Sequence, residues 1–345
     1  MTLSCSGVIA SYNQEQYIAE AVASLVDQVD ELIVVDDHST DGTYEILLEL
    51  SSRCANLKVI RDENKLGVSR AFNLGFQMAE SEVILIQGGD DVSLPNRRET
   101  QAKSLEINQT SLTYSFPIII NESGLVLDAS VAPEFKTVVS SDEHLERLFY
   151  FGNYICAPSV GIRRKDFLKW GGFQPNLDAL QDYALWLRAA DAGKFFASAS
   201  PVVKYRKHGR NLSRSDFSNQ ISHRRHRAEL PFLLNAFLNA VSEVGLERLL
   251  NSNSNMNEFG NRHLATVAIK LGYPDRLLRL EGIRDLFELS TSGAFDSREL
   301  MDFNAQINQA LVNTDPDNIV SLIQAISSLK NLDANLQQIW ESGGA

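Results

Sequence analysis

Short apolar runs alternate with stretches of helical periodicity over the first 90 residues of this 345-residue chain. Four of the runs have the length of buried strands, namely 3–10, 31–36, 57–60 and 83–86. Three intervening segments repeat apolar residues at helical spacing, namely 18–26, 44–50 and 71–79. Because parallel strands need crossover helices, this alternation predicts an α/β fold with a Rossmann-like, mostly parallel central sheet flanked by helices.

Further elements continue the pattern towards residue 213. Apolar runs at 112–120 and 157–162 predict two more strands, and we expect the first of them to turn antiparallel. Residues 183–192 repeat apolar side chains as a helix does. Residues 202–205 predict a strand that leads into the basic loop 206–213.

The composition changes from about residue 216 onward. Glycines become rare, an amphipathic run extends to Val244, and the polar segment 251–257 resembles a linker. Five helices are predicted after it, at 262–271, 274–289, 297–312, 316–329 and 334–340. We therefore expect two domains, an α/β domain over 1–215 and an all-α region over 216–345.

Aspartates follow two of the predicted buried strands. Asp36 and Asp37 end the second strand, and Asp90 and Asp91 come after the fourth, behind Gly89. Ligands of open α/β sheets bind beyond the carboxyl ends of the strands, and carboxylate oxygens suit Mg²⁺ or Mn²⁺. The alternative interpretation is that such acids only open a turn.

Several classes of protein are disfavoured. Neither the dinucleotide-binding glycine pattern nor the Walker A pattern follows any predicted strand. A formal net charge of -12 argues against nucleic acid as the main partner. The start of the chain indicates no signal peptide and no apolar run indicates a membrane span, so we expect a cytoplasmic protein. The three cysteines suggest reduced, partly buried thiols.

Five motifs in order resemble family 2 glycosyltransferases with the GT-A fold, over about residues 1–215. The motifs are 9–13, 34–43, 64–75, 89–91 and a late pair formed by 170–173 with 182–188. The resemblance implies an inverting enzyme that transfers a sugar from a nucleotide-diphosphate donor, with UDP-sugar expected, to an acceptor hydroxyl. It also implies Mg²⁺ or Mn²⁺ as cofactor, a glycan or lipid-linked acceptor, and a role in cell-surface polysaccharide biosynthesis.

The resemblance also implies roles for particular residues. Asp182 is the expected catalytic base, and Asp90 with His208 the expected metal ligands. The expected nucleotide-sugar contacts are Ser11, Tyr12, Asn13, Asp37, Asn73, Gly89, Asp90 and Arg206.

Physical chemistry supports the role of Asp37 and offers other residues alternative roles. A carboxylate at Asp37 can accept the imide N–H of uracil, which cytosine lacks. Tyr12 can stack on the base or simply pack in the fold. Asp36 and Asp41 are expected to cap loops and helices. Asp182 can serve as a base, as the N-cap of the helix after it, or as both.

A basic loop distinguishes His208 from an ordinary solvated histidine. This residue stands among Arg206, Lys207 and Arg210 in an otherwise acidic chain. We therefore expect it to approach the metal or the diphosphate.

Three residues depart from the family pattern. Gly88 stands where the metal motif has its first acid, Phe72 where many members have arginine, and Gln181 where many have glutamate. These departures prompt an alternative function, a catalytically silent nucleotide-sugar binder or scaffold.

A second basic cluster occupies residues 223–227. We expect it to face an anionic partner, either a lipid-diphosphate acceptor or the surface of an anionic membrane, which would give the protein a peripheral location. A solvated helix face is the alternative.

Overall fold

The computed structural model describes residues 3–250, apart from 138, 141, 142, 194, 210 and 212–219, and scattered positions between 265 and 285. Within 220–227, only the side chain of His226 is described. Contacts divide the chain into two units, with the boundary after Leu233. The predicted domain boundary at residue 215 lies outside the described residues and stays a prediction.

Ten strands are described. They are β1 (Cys5–Ser11), β2 (Glu31–Asp36), β3 (Leu57–Arg61), β4 (Val83–Gly88), β5 (Val92–Ser93), β6 (Leu112–Ser115), β7 (Ile118–Ile120), β8 (Gly161–Arg163), β9 (Phe195–Ser198) and β10 (Val203–Arg206). Seven of them form one sheet in the order β3-β2-β1-β4-β8-β6-β9, and the others form a small sheet in the order β5-β10-β7. In the large sheet only β8 runs antiparallel to its neighbours, which confirms the mostly parallel α/β fold.

Helices cover the large sheet and connect its strands. The described helices are α1 (Ile18–Leu25), α2 (Thr43–Arg53), α3 (Val68–Met78), α4 (Arg97–Ile107), α5 (His144–Phe151), α6 (Arg164–Lys169), α7 (Gln181–Asp191), α8 (Gln220–Ala240) and α9 (Glu243–Leu249). None of the described helices is long and apolar enough to cross a membrane.

The core forms because the central strands are buried on both faces. Every residue of β2 is buried, and β1 and β4 are buried except at one position each. A Cβ atom at Gly75 of α3 would lie 2.5 Å from a methyl carbon of Val8 in β1. Glycine at this position therefore lets α3 approach the sheet closely. The cysteines are free, with Cys5 and Cys156 buried and Cys54 partly buried, as expected.

The predicted strand 112–120 is wrong as a single element. Residues 112–115 form β6 in the large sheet, whereas residues 118–120 form β7 in the small one. Pro117 lies between them, and proline cannot donate to a strand ladder. The antiparallel strand is β8 rather than β6, and residues 157–159 are a 3₁₀ turn ahead of β8.

The small sheet brings three distant segments together. β10 pairs antiparallel with β5, which follows the Asp90–Asp91 turn, and parallel with β7. The basic loop after β10 therefore begins beside the carboxyl end of β4.

The structure describes part of the predicted C-terminal helices. The amphipathic run to Val244 is two helices, α8 and α9, and Ser242 caps α9 by accepting from the N–H of Gly245 over 3.0 Å. The positions described within the predicted helices 262–271 and 274–289 are helical. The linker 251–257 and the helices predicted after residue 296 lie outside the described residues.

Candidate active site

The carboxyl ends of three neighbouring parallel strands define a crevice. β1 pairs in parallel with β2 and β4, so that Ser11 lies opposite Asp36 and Ala10 opposite Gly88. The loops after these strands start side by side, and the N–H of Asp37 donates to the carbonyl of Ser11 over 2.8 Å. Open α/β sheets bind their ligands at this position.

Asp37 ties a neighbouring loop to the crevice. Its buried carboxylate accepts from the N–H of Leu66 over 2.5 Å and from the N–H of Gly67 at 3.1 Å to each oxygen. Gly67 has a φ of 84°, in the region that favours glycine. A carboxylate offers about four acceptor positions, so Asp37 retains capacity for one more donor, such as an imide N–H.

Tyr12 and Asn13 both follow β1, but Tyr12 is exposed, whereas Asn13 binds other parts of the protein. The Tyr12 ring is 38% exposed, and the Nζ atom of Lys65 lies 3.3 Å from the ring centroid. An exposed aromatic face beside a cation suits an anionic ligand with a flat base. Asn13 instead braces the loop after β2, because it binds Ser39 Oγ through its N–H and the N–H of Thr40 through Oδ1. Its direct contact with a donor stays a prediction.

Asp36 and Asp41 have the structural roles expected of them. Asp36 is fully buried, and its Oδ2 atom accepts from the N–H of Ser39 over 3.1 Å. Asp41 accepts from both the N–H and the hydroxyl of Thr43, at the start of α2. Both carboxylates therefore hold the loop between β2 and α2 in shape.

Ser11 and Gly89 meet at the bottom of the crevice. The Oγ atom of Ser11 is buried and has no hydrogen-bond partner in the described part of the chain. A Cβ atom at position 89 would lie only 2.9 Å from this Oγ atom. Glycine at 89 therefore leaves room for the Ser11 hydroxyl.

His208 and Asp90 lie together although 118 residues separate them in sequence. The Nε2 atom of His208 is 2.8 Å from Oδ2 of Asp90, and Nδ2 of Asn211 donates to the same oxygen over 3.2 Å. The His208 ring stacks on Tyr17 with 5.2 Å between centroids. The two residues expected to share a metal ion are thus held side by side.

The separation of this pair is that of a hydrogen bond, and it would also suit two neighbouring ligands of Mg²⁺ or Mn²⁺. Ligands at about 2.1 Å on adjacent octahedral corners are about 3 Å apart, close to the separation of Asp90 and His208. Among the residues that the structure describes, no group of three or more His, Cys, Asp or Glu side chains could hold a metal. A bound ion would therefore complete its coordination with water and substrate phosphate, as Mg²⁺ usually does.

Asp91 lies behind Asp90, and Gly88 leaves room for both carboxylates. Asp91 is 1% exposed and accepts from the backbone N–H of Arg206 over 3.0 Å. Burial, followed by the charge of Asp90, raises the pKa of Asp91 well above its usual value. A Cβ atom at Gly88 would lie 2.7 Å from an oxygen of each carboxylate. A residue larger than glycine at position 88, the first departure from the family motif, would therefore collide with the carboxylates of Asp90 and Asp91 as they stand.

The role expected of Arg206 is corrected by its contacts. The residue is only 2% exposed. Its guanidinium donates to four acceptors, namely the carbonyls of Asp90, Asn121 and Glu122 and the carboxylate of Glu20. A buried guanidinium bound in this way braces the Asp90 turn from behind and does not face a nucleotide sugar.

Asn73 also has an internal partner. Its Nδ2 atom donates to the carbonyl of Phe173 over 2.7 Å, and its Oδ1 atom accepts from the N–H of the same residue over 2.9 Å. The amide therefore links α3 to the loop that leads towards α7. A contact between Asn73 and the donor stays a prediction.

Asp182, the expected base, lies in the first turn of α7. Its partly buried carboxyl group accepts from Nδ2 of Asn153 over 3.1 Å and from the N–H of Tyr183 over 2.7 Å. Burial raises the pKa of Asp182 from 3.8 to about 6, although these hydrogen bonds act in the opposite direction. A pKa close to the working pH is what general base catalysis requires.

The alternative role of Asp182 as a helix N-cap is wrong. Helix α7 begins at Gln181, and its N-cap residue is Leu180, which provides no capping side chain. Asp182 therefore belongs to the helix itself, where the helix dipole favours a negative charge.

A buried thiol connects the two acidic parts of the site. Burial raises the pKa of Cys156 well above its usual value, and the charges of Asp91 and Asp182 raise it further. Both carboxyl groups therefore lie within electrostatic range of one buried thiol.

Reasoning from the sequence missed several residues of the site. Asn211 was within the basic loop and Lys65 within a recognised motif, but neither stood out from its neighbours. Asn153 had no local signal, because its contact with Asp182 spans 29 residues. The basic cluster 223–227 is described only at the exposed side chain of His226, so its expected partner stays a prediction.

Comparison with known proteins agrees with this geometry. The uncharacterized glycosyltransferase MJ1057 of Methanocaldococcus jannaschii is 29% identical to this chain over 208 residues. The aligned residues are 58% of this chain and 70% of the relative. The putative teichuronic acid biosynthesis glycosyltransferase TuaG of Bacillus subtilis is 28% identical over 193 residues, which are 54% of this chain and 72% of the relative.

Solved structures share the fold. TarS 1–349 of S. aureus, crystallised with UDP-GlcNAc, superposes with a TM-score of 0.55 at 17% identity and covers 99% of this chain and 92% of its own. The structure of the same protein with UDP has a TM-score of 0.54 at 18% identity. The match covers 89% of this chain and 91% of the TarS chain. Residues 6–169 match the family model described as glycosyl transferase family 2. The GT-A-like sheet and the ordered motifs agree with this match, so residues 6–169 are similar to glycosyl transferase family 2.

Proposed function

We propose that this protein is an inverting, metal-dependent glycosyltransferase that moves a sugar from a UDP-sugar to an acceptor hydroxyl in polysaccharide or glycan biosynthesis. The observation that carries the proposal is the Asp90–His208 pair at the end of β4. A second carboxyl group, Asp182, has a pKa of about 6, which suits a base. The UDP-GlcNAc bound to TarS supports a UDP-linked donor, and the name of TuaG supports a polysaccharide product.

The donor half of the site would bind the nucleotide. Tyr12 offers an exposed ring for stacking, and Asp37 retains one acceptor position for the imide N–H of uracil. A metal ion held by Asp90 and His208 would supply positive charge to the diphosphate. Tyr12, Asp37 and Asp90 follow β1, β2 and β4 and so lie along one edge of the sheet, and His208 reaches Asp90 from the loop after β10.

The acceptor half would remove a proton. Asp182 takes the proton of the acceptor hydroxyl while that oxygen forms a bond to the anomeric carbon of the sugar. The bond between this carbon and the diphosphate oxygen breaks, and UDP leaves with the electron pair. Attack opposite to the leaving group inverts the anomeric centre, and Asp182 needs to act only once.

A panel of nucleotide sugars tests the proposal. We expect release of UDP from at least one donor, dependent on Mg²⁺ or Mn²⁺ and lost in Asp90→Asn, with slow hydrolysis when no acceptor is present. Thermal shift with the same panel reports binding separately, because a ligand that binds the native state raises its apparent stability. Binding without turnover of any donor would instead support a silent nucleotide-sugar binder.

A further inference from the structure

A single glutamate from α8 binds the turn that precedes α7. The carboxylate of Glu229 accepts from three consecutive backbone N–H groups. The N–H of Asp178 donates to Oε1 over 3.1 Å, and the N–H groups of Ala179 and Leu180 donate to Oε2 at 3.0 Å each. Charge-assisted bonds of this kind are about twice as strong as neutral ones.

The turn needs this partner because its own sequence provides none. The N-cap residue of α7 is Leu180, whose side chain cannot accept a hydrogen bond. A partly buried turn with unpaired N–H groups would be unstable, since each unpaired group costs about 1–3 kcal/mol. Glu229 serves this turn from a residue 49 positions away in sequence.

The remainder of the loop before α7 is fastened by other elements. Ser69 of α3 donates its hydroxyl to the carbonyl of Leu177, and Asn73 binds Phe173. Arg188 of α7 donates to the carbonyl of Gly172 over 2.6 Å. Glu229 therefore acts on the last three residues of the loop, which directly precede the helical turn containing Asp182.

We propose that Glu229 is a positioning residue for the transfer reaction, which holds the start of α7 so that the carboxyl group of Asp182 meets the acceptor hydroxyl. The inference rests on the proposed function of Asp182 as base. Glu229 lies beyond residues 6–169, which match the family model, so the positioning contact comes from a part of the chain outside the matched segment. A displacement of about 1 Å at a reacting group can reduce a rate by about 10²-fold.

The first test removes the charge and keeps the shape. Glu229→Gln places an NH₂ group against N–H donors, so we expect kcat for transfer to fall by about 10 to 10²-fold. The KM for the donor should stay the same, because the donor half of the site lies on β1, β2 and β4. Glu229→Asp retains the carboxylate and should recover part of kcat. The control Phe232→Ala, an exposed position three residues further along α8, should behave as wild type.

The second test asks whether Glu229 acts through Asp182. In an Asp182→Asn background, Glu229→Gln should cause no further fall in kcat, because the base that it positions is already absent. An equal fall in both backgrounds would overturn the proposal, and so would a wild-type kcat in Glu229→Gln. A parallel change in donor KM and kcat, or loss of folding in both Glu229 variants, would assign the residue to stability alone.

Failure of the proposed function gives a different result. If the wild-type protein turns over no donor, Asp182 is not a base in transfer and the function itself is refuted. If the wild-type protein transfers sugar and Glu229→Gln does so equally well, only the role of Glu229 is refuted.

Discussion

The side-chain amide of Asn153 donates to Oδ2 of Asp182 over 3.1 Å, and this contact should help to set the pH at which transfer loses its base. The bond stabilises the ionised carboxylate and so lowers the pKa of Asp182. In Asn153→Ala the bond is absent, burial acts with less opposition, and the pKa should rise.

The size of the change follows from the position of the carboxyl group. A hydrogen bond to a charged group contributes about 1.5–3 kcal/mol when buried. Because Asp182 is only partly buried, water replaces part of the lost bond, and we expect about 1.4 kcal/mol, or one pKa unit. The wild-type rate should fall about tenfold per pH unit below the pKa of about 6, since the protonated acid cannot act as a base. In the variant the same fall should begin near pH 7.

The assay is kcat for transfer between pH 5 and 9, at saturating donor and acceptor. Asn108→Ala is the matched control, because Asn108 is an exposed amide whose Nδ2 atom binds only the carbonyl of Ser104 within its own helix end. The reasoning is refuted if the acid limb of Asn153→Ala coincides with that of wild type. A wild-type rate that is flat from pH 5 to 7 would place the base elsewhere, with Glu143 and Asp178 the first candidates.

Three further predictions separate the parts of the site, and a fourth concerns the basic cluster 223–227. Asp182→Asn should lower transfer by about 10² to 10⁴-fold with donor binding retained, measured as turnover beside donor affinity, whereas near-wild-type transfer would exclude it as the base. Asp90→Asn should weaken metal-dependent donor binding as well as rate, and a purely kinetic effect would contradict its role at the metal. Asp37→Ala should weaken UDP binding in titration more than it lowers Tm, and unchanged affinity would place the base of the nucleotide elsewhere. Replacing the basic residues of 223–227 with glutamine should abolish salt-sensitive binding to anionic vesicles, and salt-insensitive binding or none in wild type would remove that hypothesis.

The sequence was sufficient for the elements with strong local signals. Four apolar runs became β1 to β4, and β1, β2 and β4 are buried at nearly every position, which explains why their sequences are mostly apolar. Asp90 and His208 could be placed together only through the family resemblance, since no local signal joins residues 118 positions apart. Pro117 is the sequence signal that divides 112–120 into two strands, but the apolar residues around it led to the prediction of a single strand.

Contacts between distant residues explain what sequence reasoning could not predict. Arg206 was expected to meet the donor because the family resemblance implied that contact. In the fold its guanidinium instead binds Glu20 and three backbone carbonyls. Asn153 and Glu229 likewise acquire their roles only when α7 is placed against other elements, and no spacing in the sequence reports that placement.

Several energetically unfavourable features lie at the carboxyl ends of β1 and β2 or at Asp182. Asn13 and His38 have positive φ values of 54° and 62°, a conformation that side chains disfavour and that costs of order 1–3 kcal/mol. Ser11 Oγ is buried without a hydrogen-bond partner in the described chain. The raised pKa of Asp182 also means that the folded state is less stable once this group ionises, an effect that sets in above pH 3.8 and is complete above about pH 6, and that amounts to at most about 3 kcal/mol. Such costs persist where a ligand supplies the missing partners or where the strained group performs chemistry. The strained residues and the buried Ser11 hydroxyl at the ends of β1 and β2 therefore support the proposal that the donor binds there.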